Sequence, residues 1–197
     1  MVKINRRRVI RLSVLSKGGI VLFLMFRKKV IMRKKVDLYE VFSETLDKLD
    51  SDGILLVAGN PPNPMTIGWS TIGHIWNKAI MNVLVRPVRH TFQLMESGGD
   101  FSVCILPDQY RKELKLCGTR SGRDINKLEV CNLHIEKCSK VDSFFISESI
   151  IHFECRTVHK HFLDPATLDP AICKRYYPEK DYHMVYYGEI LGIYRNL

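Results

Sequence analysis

The six cysteines, at 104, 117, 131, 138, 155 and 173, include no pair at Cys-x-x-Cys spacing. Zinc ribbons and dithiol redox motifs rely on that spacing, so both classes lack their usual signature here. With no secretory signal, free thiols in a reducing cytoplasm are the expectation. The apolar stretch at 20–26 falls far short of the ~20 residues that cross a bilayer. It also runs into further basic residues without a small-residue cleavage site, unlike a signal peptide. Neither Gly-x-x-x-x-Gly-Lys-Ser/Thr nor Gly-x-Gly-x-x-Gly occurs, so the triphosphatase loop and the dinucleotide fingerprint are both missing. There is no internal repeat and no low-complexity tract.

Acidic residues are absent from positions 1–35, which hold 12 Lys or Arg. Positions 36–197 hold the other 18 basic residues against all 21 acidic ones, 18 − 21 = −3, so the net charge of +9 belongs to the tail alone. A mildly acidic body argues against nucleic acid as the main partner. The tail admits two readings: an anchor for anionic surfaces, or an unstructured extension or start-site artefact, with translation beginning at Met25 or Met32. The folded domain is expected at 36–197, long enough for one real core.

Within the body, residues 37–49 carry apolar side chains at helical spacing, and Ser51-Asp52-Gly53 ends that run. Residues 54–58, 80–86 and 101–106 are compact apolar runs that suit buried strands. Three prolines in Asn60-Pro61-Pro62-Asn63-Pro64 oppose both helix and ladder, so a turn is expected there. Short helices are expected at 91–96, capped by Thr91, and at 108–117 and 124–130; strands are expected at 143–146, 149–159 and 184–194. Short strands and short helices without regular alternation argue for an antiparallel barrel with peripheral helices.

Three constellations carry possible chemistry. In Cys117-Gly118-Thr119-Arg120-Ser121-Gly122-Arg123-Asp124, two glycines permit close backbone approach, hydroxyls can donate, and Arg123 offers a planar fork. A helix opening at Asp124 would point free N–H groups at the same anion. A polar turn with Asp124 as a plain cap fits those residues equally well. Asn63-Pro64-Met65-Thr66-Ile67-Gly68-Trp69-Ser70, followed by Gly73-His74-Ile75-Trp76-Asn77-Lys78, places both tryptophans in an expected loop, where indoles could face a flat heteroaromatic ring or simply fill core. Val85-Arg86-Pro87-Val88-Arg89-His90-Thr91 sets two arginines beside a helix start, as an anion contact or as surface ion pairs. The histidines of His152-Phe153-Glu154-Cys155 and His159-Lys160-His161 share strand faces but have no further ligand spacing, so no metal site is assigned. Cys104 reads as packing.

Taken in order, Asn-x-Met-Thr-x-Gly-Trp, Gly-x-x-Trp-x-Lys, Val-Arg-Pro-x-Arg-x-Thr and Gly-Thr-x-Ser-Gly-Arg-Asp-x-x-Lys resemble the flavin-reductase-like family that includes flavoredoxins. The resemblance spans roughly residues 38–194. It implies a mainly β fold, a six-stranded antiparallel Greek-key split barrel with peripheral helices, binding flavin mononucleotide (FMN), usually as a homodimer. Carried over residue by residue, Met65, Thr66, Gly68 and Trp69 would line the flavin and Lys78 would lie near its ring. Thr119, Ser121, Gly122 and Arg123 would hold the phosphate, with Lys127 and Arg86 as further positive charge. His183 is a candidate contact for flavin or electron donor. Ala79 and His90 depart from the family's pattern, and the tail has no counterpart in it. The implied function is electron transfer with NAD(P)H or a redox partner protein and no catalytic acid or nucleophile of the chain's own. Its rivals are a non-redox phosphate-ligand module recruited to anionic surfaces by the tail, and, on very little, a metal-dependent hydrolase.

Overall fold

A computed structural model describes residues 32–197. The anchor and start-site readings of the tail fall on positions outside the described residues. Three basic residues from before the charge boundary do enter the fold. Arg33–Lys35 form β1, antiparallel to Tyr194, Arg195 and Asn196.

Helix α1 (Leu38–Asp50) is fixed at its start by the Glu40 carboxylate, which accepts the Asp37 N–H at 2.9 Å. Just past its end, Gly53 reverses the chain with a φ of +78° that suits a residue without Cβ, and its N–H donates to the Lys48 carbonyl. Its apolar stripe divides: Val41 and Leu49 are buried with Thr45, while Phe42 and Leu46 stay exposed.

Strand β2 (Ile54–Ala58) is buried on both faces, which explains its unbroken apolar run. Ile54, Leu56 and Ala58 face one core with Val83, Phe101, Val103 and Phe153. Leu55 and Val57 face a second with Cys104, Leu114, Cys117 and Ile146. The turn expected through residue 64 is shorter than that. Strand β3 (Asn63–Ile67) starts at Asn63, and Pro64 pairs with Val57. β3 lies at the edge of the sheet, where a missing N–H breaks no second ladder, so proline is tolerated. The expected loop around the tryptophans is also a hairpin. Strands β4 (Ser70–Ile75) and β5 (Lys78–Val85) pair across a two-residue tip, Trp76 and Asn77, at φ 55° and 57°. Positive φ at both tip residues matches the twist of the flanking strands.

Helix α2 (His90–Gly98) follows, without the expected Thr91 cap: Arg89 occupies the N-cap. Thr91 is instead buried and accepts a hydrogen bond from Asn63 Nδ2 at 2.9 Å. Then come β6 (Asp100–Ile105), a 3-10 turn at Asp108–Tyr110, α3 (Arg111–Thr119) and the four-residue α4 (Lys127–Val130). A small ladder of β7 (Ile135–Lys137) and β8 (Phe144–Ile146) precedes the long pair β9 (Ile151–Phe162) and β10 (Met184–Asn196), with α5 (Pro170–Tyr176) between them.

The main sheet runs β3-β2-β6-β9-β10-β5-β4, with β1 beside β10, and every pairing is antiparallel. Its terminal strands, β3 and β4, are joined by Gly68 and Trp69 alone. The sheet therefore curls until its two ends meet at that link, a split barrel with eight strands among the described residues where six were expected. No helix among the described residues is long and apolar enough to cross a membrane.

Candidate functional site

The end of β3, the Gly68-Trp69 link, the end of β5 and the approach to β10 enclose a cleft of about 230 Å³. Met65, Thr66, Gly68, Trp69, Arg86 and His183 all line it, so six positions singled out from the sequence converge. Trp69 is 40% exposed, edge-on to Tyr176 at 5.2 Å and tilted against His183 at 5.0 Å. His183 is buried, with Nδ1 2.8 Å from the Tyr177 hydroxyl. Burial, with the charges of Arg86 and Arg89 against the opposing Asp181, pushes its pKa down to about 4. The imidazole is therefore neutral at physiological pH. Arg86 donates to Asp181 and to the Tyr176 carbonyl, and lies 5.1 Å over the Tyr177 ring. Its guanidinium ties the segment before β10 to the end of β5. The Thr66 hydroxyl donates to the Leu114 carbonyl at 2.6 Å, fixing β3 against α3.

A smaller recess of about 140 Å³ shares Met65 and Arg89 with the cleft, so the two adjoin. Ser121, Gly122, Arg123 and Lys127 line it. The helix expected to open at Asp124 does not. The Asp124 and Ile125 amides donate to the Ser121 carbonyl, and the Arg123 amide donates to Ser121 Oγ. Asn126, whose side chain accepts the Glu129 N–H, displaces the helix start to Lys127. The amides of Ser121 and Gly122 have no hydrogen-bond partner among the described residues.

Positive charge in the recess is uncompensated. Arg89, Arg120 and Arg123 form no ion pair among the described residues. Arg123 uses one N–H on the Val88 carbonyl at 3.1 Å. Lys127 is 4% exposed and donates to the Pro64 and Cys117 carbonyls, and its pKa is held down chiefly by burial. His90 has a buried Nδ1 without a partner among the described residues. Burial, then the charges of Arg123 and Lys127, lower its pKa.

Other expected positions stand apart. Lys78 opens β5 and pairs with Glu189. About 20 Å of strand separates it from Leu84, which lines the cleft. Thr119 lines neither cavity, and its hydroxyl donates to the Lys115 carbonyl. Trp69 and Trp76 sit at opposite ends of β4, so only Trp69 faces the cleft. Arg120 and His90 went unchosen in the sequence, although Arg120 sits inside the Gly-Thr-Arg-Ser-Gly-Arg-Asp run and His90 follows Arg89. Outside the site, His152 stacks between Phe145 and Tyr194 and pairs with Glu154, while His159 and His161 stack on one another.

Residues 51–196 match the family model described as the flavin reductase like domain. The chain belongs to this family. A protein of Archaeoglobus fulgidus, described only as uncharacterised, is 30% identical over 105 residues. That match spans 53% of this chain and 59% of the relative, less than two thirds of its length. Among solved structures, a flavoredoxin from Methanosarcina acetivorans is 23% identical with a TM-score of 0.56, covering 72% of this chain and 67% of that one. An FMN-binding domain of a flavin-reductase-like enzyme from Shewanella baltica is 16% identical with a TM-score of 0.58, covering 84% and 78%. At these identities the likeness speaks for the split-barrel fold of this flavin-reductase-like chain.

Proposed function

We propose that this chain binds FMN and passes electrons through it, as a flavoredoxin-like carrier or as an NAD(P)H-dependent flavin or ferric reductase. One observation carries the reading: a cationic recess adjoins an aromatic-edged cleft, with Met65 and Arg89 lining both, an arrangement that suits a ligand with a phosphate at one end and a flat ring at the other. The donor set fits a phosphate. Arg89, Arg120 and Arg123, without carboxylate partners among the described residues, line the recess with Ser121 and Gly122, whose amides have no partner among them either.

The isoalloxazine ring supplies the redox chemistry when bound. The chain's own residues bind and orient. The Ser121 and Gly122 amides and the Arg123 fork grip the phosphate, with Arg89, Arg120 and Lys127 adding positive charge. Met65 and the Trp69 indole flank the ring. His183, held by Tyr177, stays uncharged and offers its second ring nitrogen to the flavin or the electron donor. Lys78 and Thr119 fall outside the contact set of their own chain.

A homodimer is the proposed working unit, supported by an open groove of about 870 Å³ lined by Leu38, Tyr39, Phe42, Ile72 and Ile190. Tyr39 is 90% exposed and Phe42 38%, so α1 brings adjoining apolar side chains to this groove. Six free cysteines, five of them buried, are consistent with a cytoplasmic setting. Equilibrium dialysis of the purified protein against FMN, read by visible absorbance, tests the proposal. One flavin bound per chain is expected; a colourless protein that takes up no added FMN would end it.

A further inference from the structure

No Cys-x-x-Cys pair occurs in the sequence, yet the fold brings two distant cysteines together behind the recess. Cys117 lies in the last turn of α3 and Cys131 directly follows α4. The segment between them carries Arg120, Ser121, Gly122, Arg123 and Lys127, all of which line the recess. Both cysteines are free and belong to the second core, at 1% and 8% exposure, and their thiols are in hydrogen-bonding contact. Lys127 links them a second time. Its Nζ donates to the Cys117 carbonyl at 2.9 Å, and its own carbonyl accepts the Cys131 N–H at 2.9 Å.

The surroundings differ from those of a packing thiol. Glu113 stands one helical turn before Cys117 on α3, and its Oε2 is buried without a partner among the described residues. Burial pushes the Cys117 thiol up to about 12 and the Cys131 thiol up as well, and the Glu113 charge acts on both in the same direction. Both therefore stay protonated at rest, with an unpartnered carboxylate oxygen near them to take a proton when one is lost. Cys117 also lines the recess, which gives a small oxidant a way in. Cys104, by contrast, has its sulfur engaged by the Ser102 hydroxyl and the Ile146 amide. A metal ion does not account for the cluster, because among the described residues no group of three His, Cys, Asp or Glu could hold one.

We propose that Cys117 and Cys131 form a reversible disulfide site, closed by hydrogen peroxide, that clamps the segment 118–130. The Cys117 sulfur attacks one peroxide oxygen and the O–O bond breaks. The thiol proton, relayed by Glu113, leaves with the other oxygen as water, and Cys117 becomes a sulfenic acid. The Cys131 sulfur then displaces that hydroxyl, which takes the Cys131 proton and departs as a second water. Two electrons have passed from the pair to the peroxide. The new bond ties the end of α3 to the end of α4 and so restrains the loop between them. A loop held in its binding shape gives up less freedom when it grips a ligand. On the flavin reading above, the oxidised form therefore holds the FMN phosphate more tightly.

Full-length protein would be treated with hydrogen peroxide, alkylated, unfolded and mapped by mass spectrometry. The expected product lacks two hydrogens, joins Cys117 to Cys131 and reverts with dithiothreitol. Trypsin should then cut the native protein after Arg120 and Arg123, both exposed, at least about fivefold more slowly. FMN should bind at least about threefold more tightly in the oxidised form, with riboflavin unchanged. Cys131→Ser should show none of these responses to peroxide, and Glu113→Gln should form the cross-link more slowly. Two thiols still alkylated at 117 and 131 after peroxide, or a cross-link that leaves tryptic cleavage unslowed, would overturn the proposal. A cross-link with FMN affinity unchanged or weakened would overturn its coupling to the recess. Failure of both redox forms to bind FMN would instead bring down the flavin reading and leave the mapped, protease-protecting disulfide standing.

Discussion

Gly122→Ala would place a methyl carbon 2.0 Å from Asn63 Oδ1 and 2.9 Å from both Asn63 Cγ and His90 Cδ2. Something must move, and Asn63 is poorly free to do so. It is 7% exposed, sits in the first ladder pair of β3, and donates through Nδ2 to Thr91 Oγ1. Swinging its amide away breaks the link between β3 and α2 and leaves Thr91, 1% exposed, without its donor. An unsatisfied buried polar pair costs about 1–3 kcal/mol. Overpacking the junction costs a further ~1–3 kcal/mol. Because moving the amide relieves part of the overpacking even as it breaks the hydrogen bond, the two costs do not add in full and the expected loss is about 2–4 kcal/mol. Urea unfolding of wild type and Gly122→Ala, compared at equal m-value, reads it directly. The turn could yield in place of Asn63, displacing the Ser121 and Gly122 amides; FMN affinity would then fall while stability changed less. A variant within 0.5 kcal/mol of wild type that also bound FMN normally would refute the close approach and its role together.

The pKa of His183 is held at about 4, and His90 and His152 are also lowered, all chiefly by burial. Unfolded histidines take up protons as pH falls through about 6.5 while the native ones do not, so stability is present above that pH and is lost on acidification toward 4. His183 alone accounts for at most about 3 kcal/mol of this. Urea midpoints from pH 7.5 to 4.5 should drop in the wild type and drop less in His183→Gln; an identical slope in both would remove His183 from the account. Lys127→Met strips donors from the Pro64 and Cys117 carbonyls and should destabilise by about 1–3 kcal/mol, with weaker FMN binding; a stabilised variant would mean that the buried amine is poorly satisfied. Tyr186→Phe removes the hydroxyl donated to Glu96 at 2.8 Å and should cost about 1 kcal/mol in calorimetry, a modest sum because Lys160 still pairs with that carboxylate.

How much of this was legible in the sequence depended on how local the deciding physics was. Ile54–Ala58 and the strand at 101–106 announced themselves because burial on both faces demands unbroken apolar runs. The motif order brought Met65, Trp69 and Arg86 to one cleft and Ser121 to Arg123 to the adjoining recess. Strand β3 was hidden because proline is judged by a rule for central strands, and only the sheet order reveals an edge. Asp124 looked like a helix cap because its competitor, Asn126, differs from it by two positions and one atom. Thr91 likewise serves Asn63 across the fold, a partnership that no local pattern records. Lys78 was assigned by resemblance alone, and the length of β5 carries it away from the cleft. Arg120 and His90 gain meaning only when α2 and the end of α3 face one another.

The affinity ratio of FMN to riboflavin, measured with Arg123→Ala beside the wild type, addresses the recess lined by Arg120, Ser121, Gly122 and Arg123 most directly. The two ligands differ only in the phosphate. Charge-assisted hydrogen bonds contribute about 1.5–3 kcal/mol each. Wild type should therefore favour FMN by at least about 100-fold. Arg123→Ala should weaken FMN by roughly 10- to 100-fold and leave riboflavin unchanged. Equal wild-type affinity for the two ligands, or equal losses in the variant, would mean that the recess does not hold a flavin phosphate.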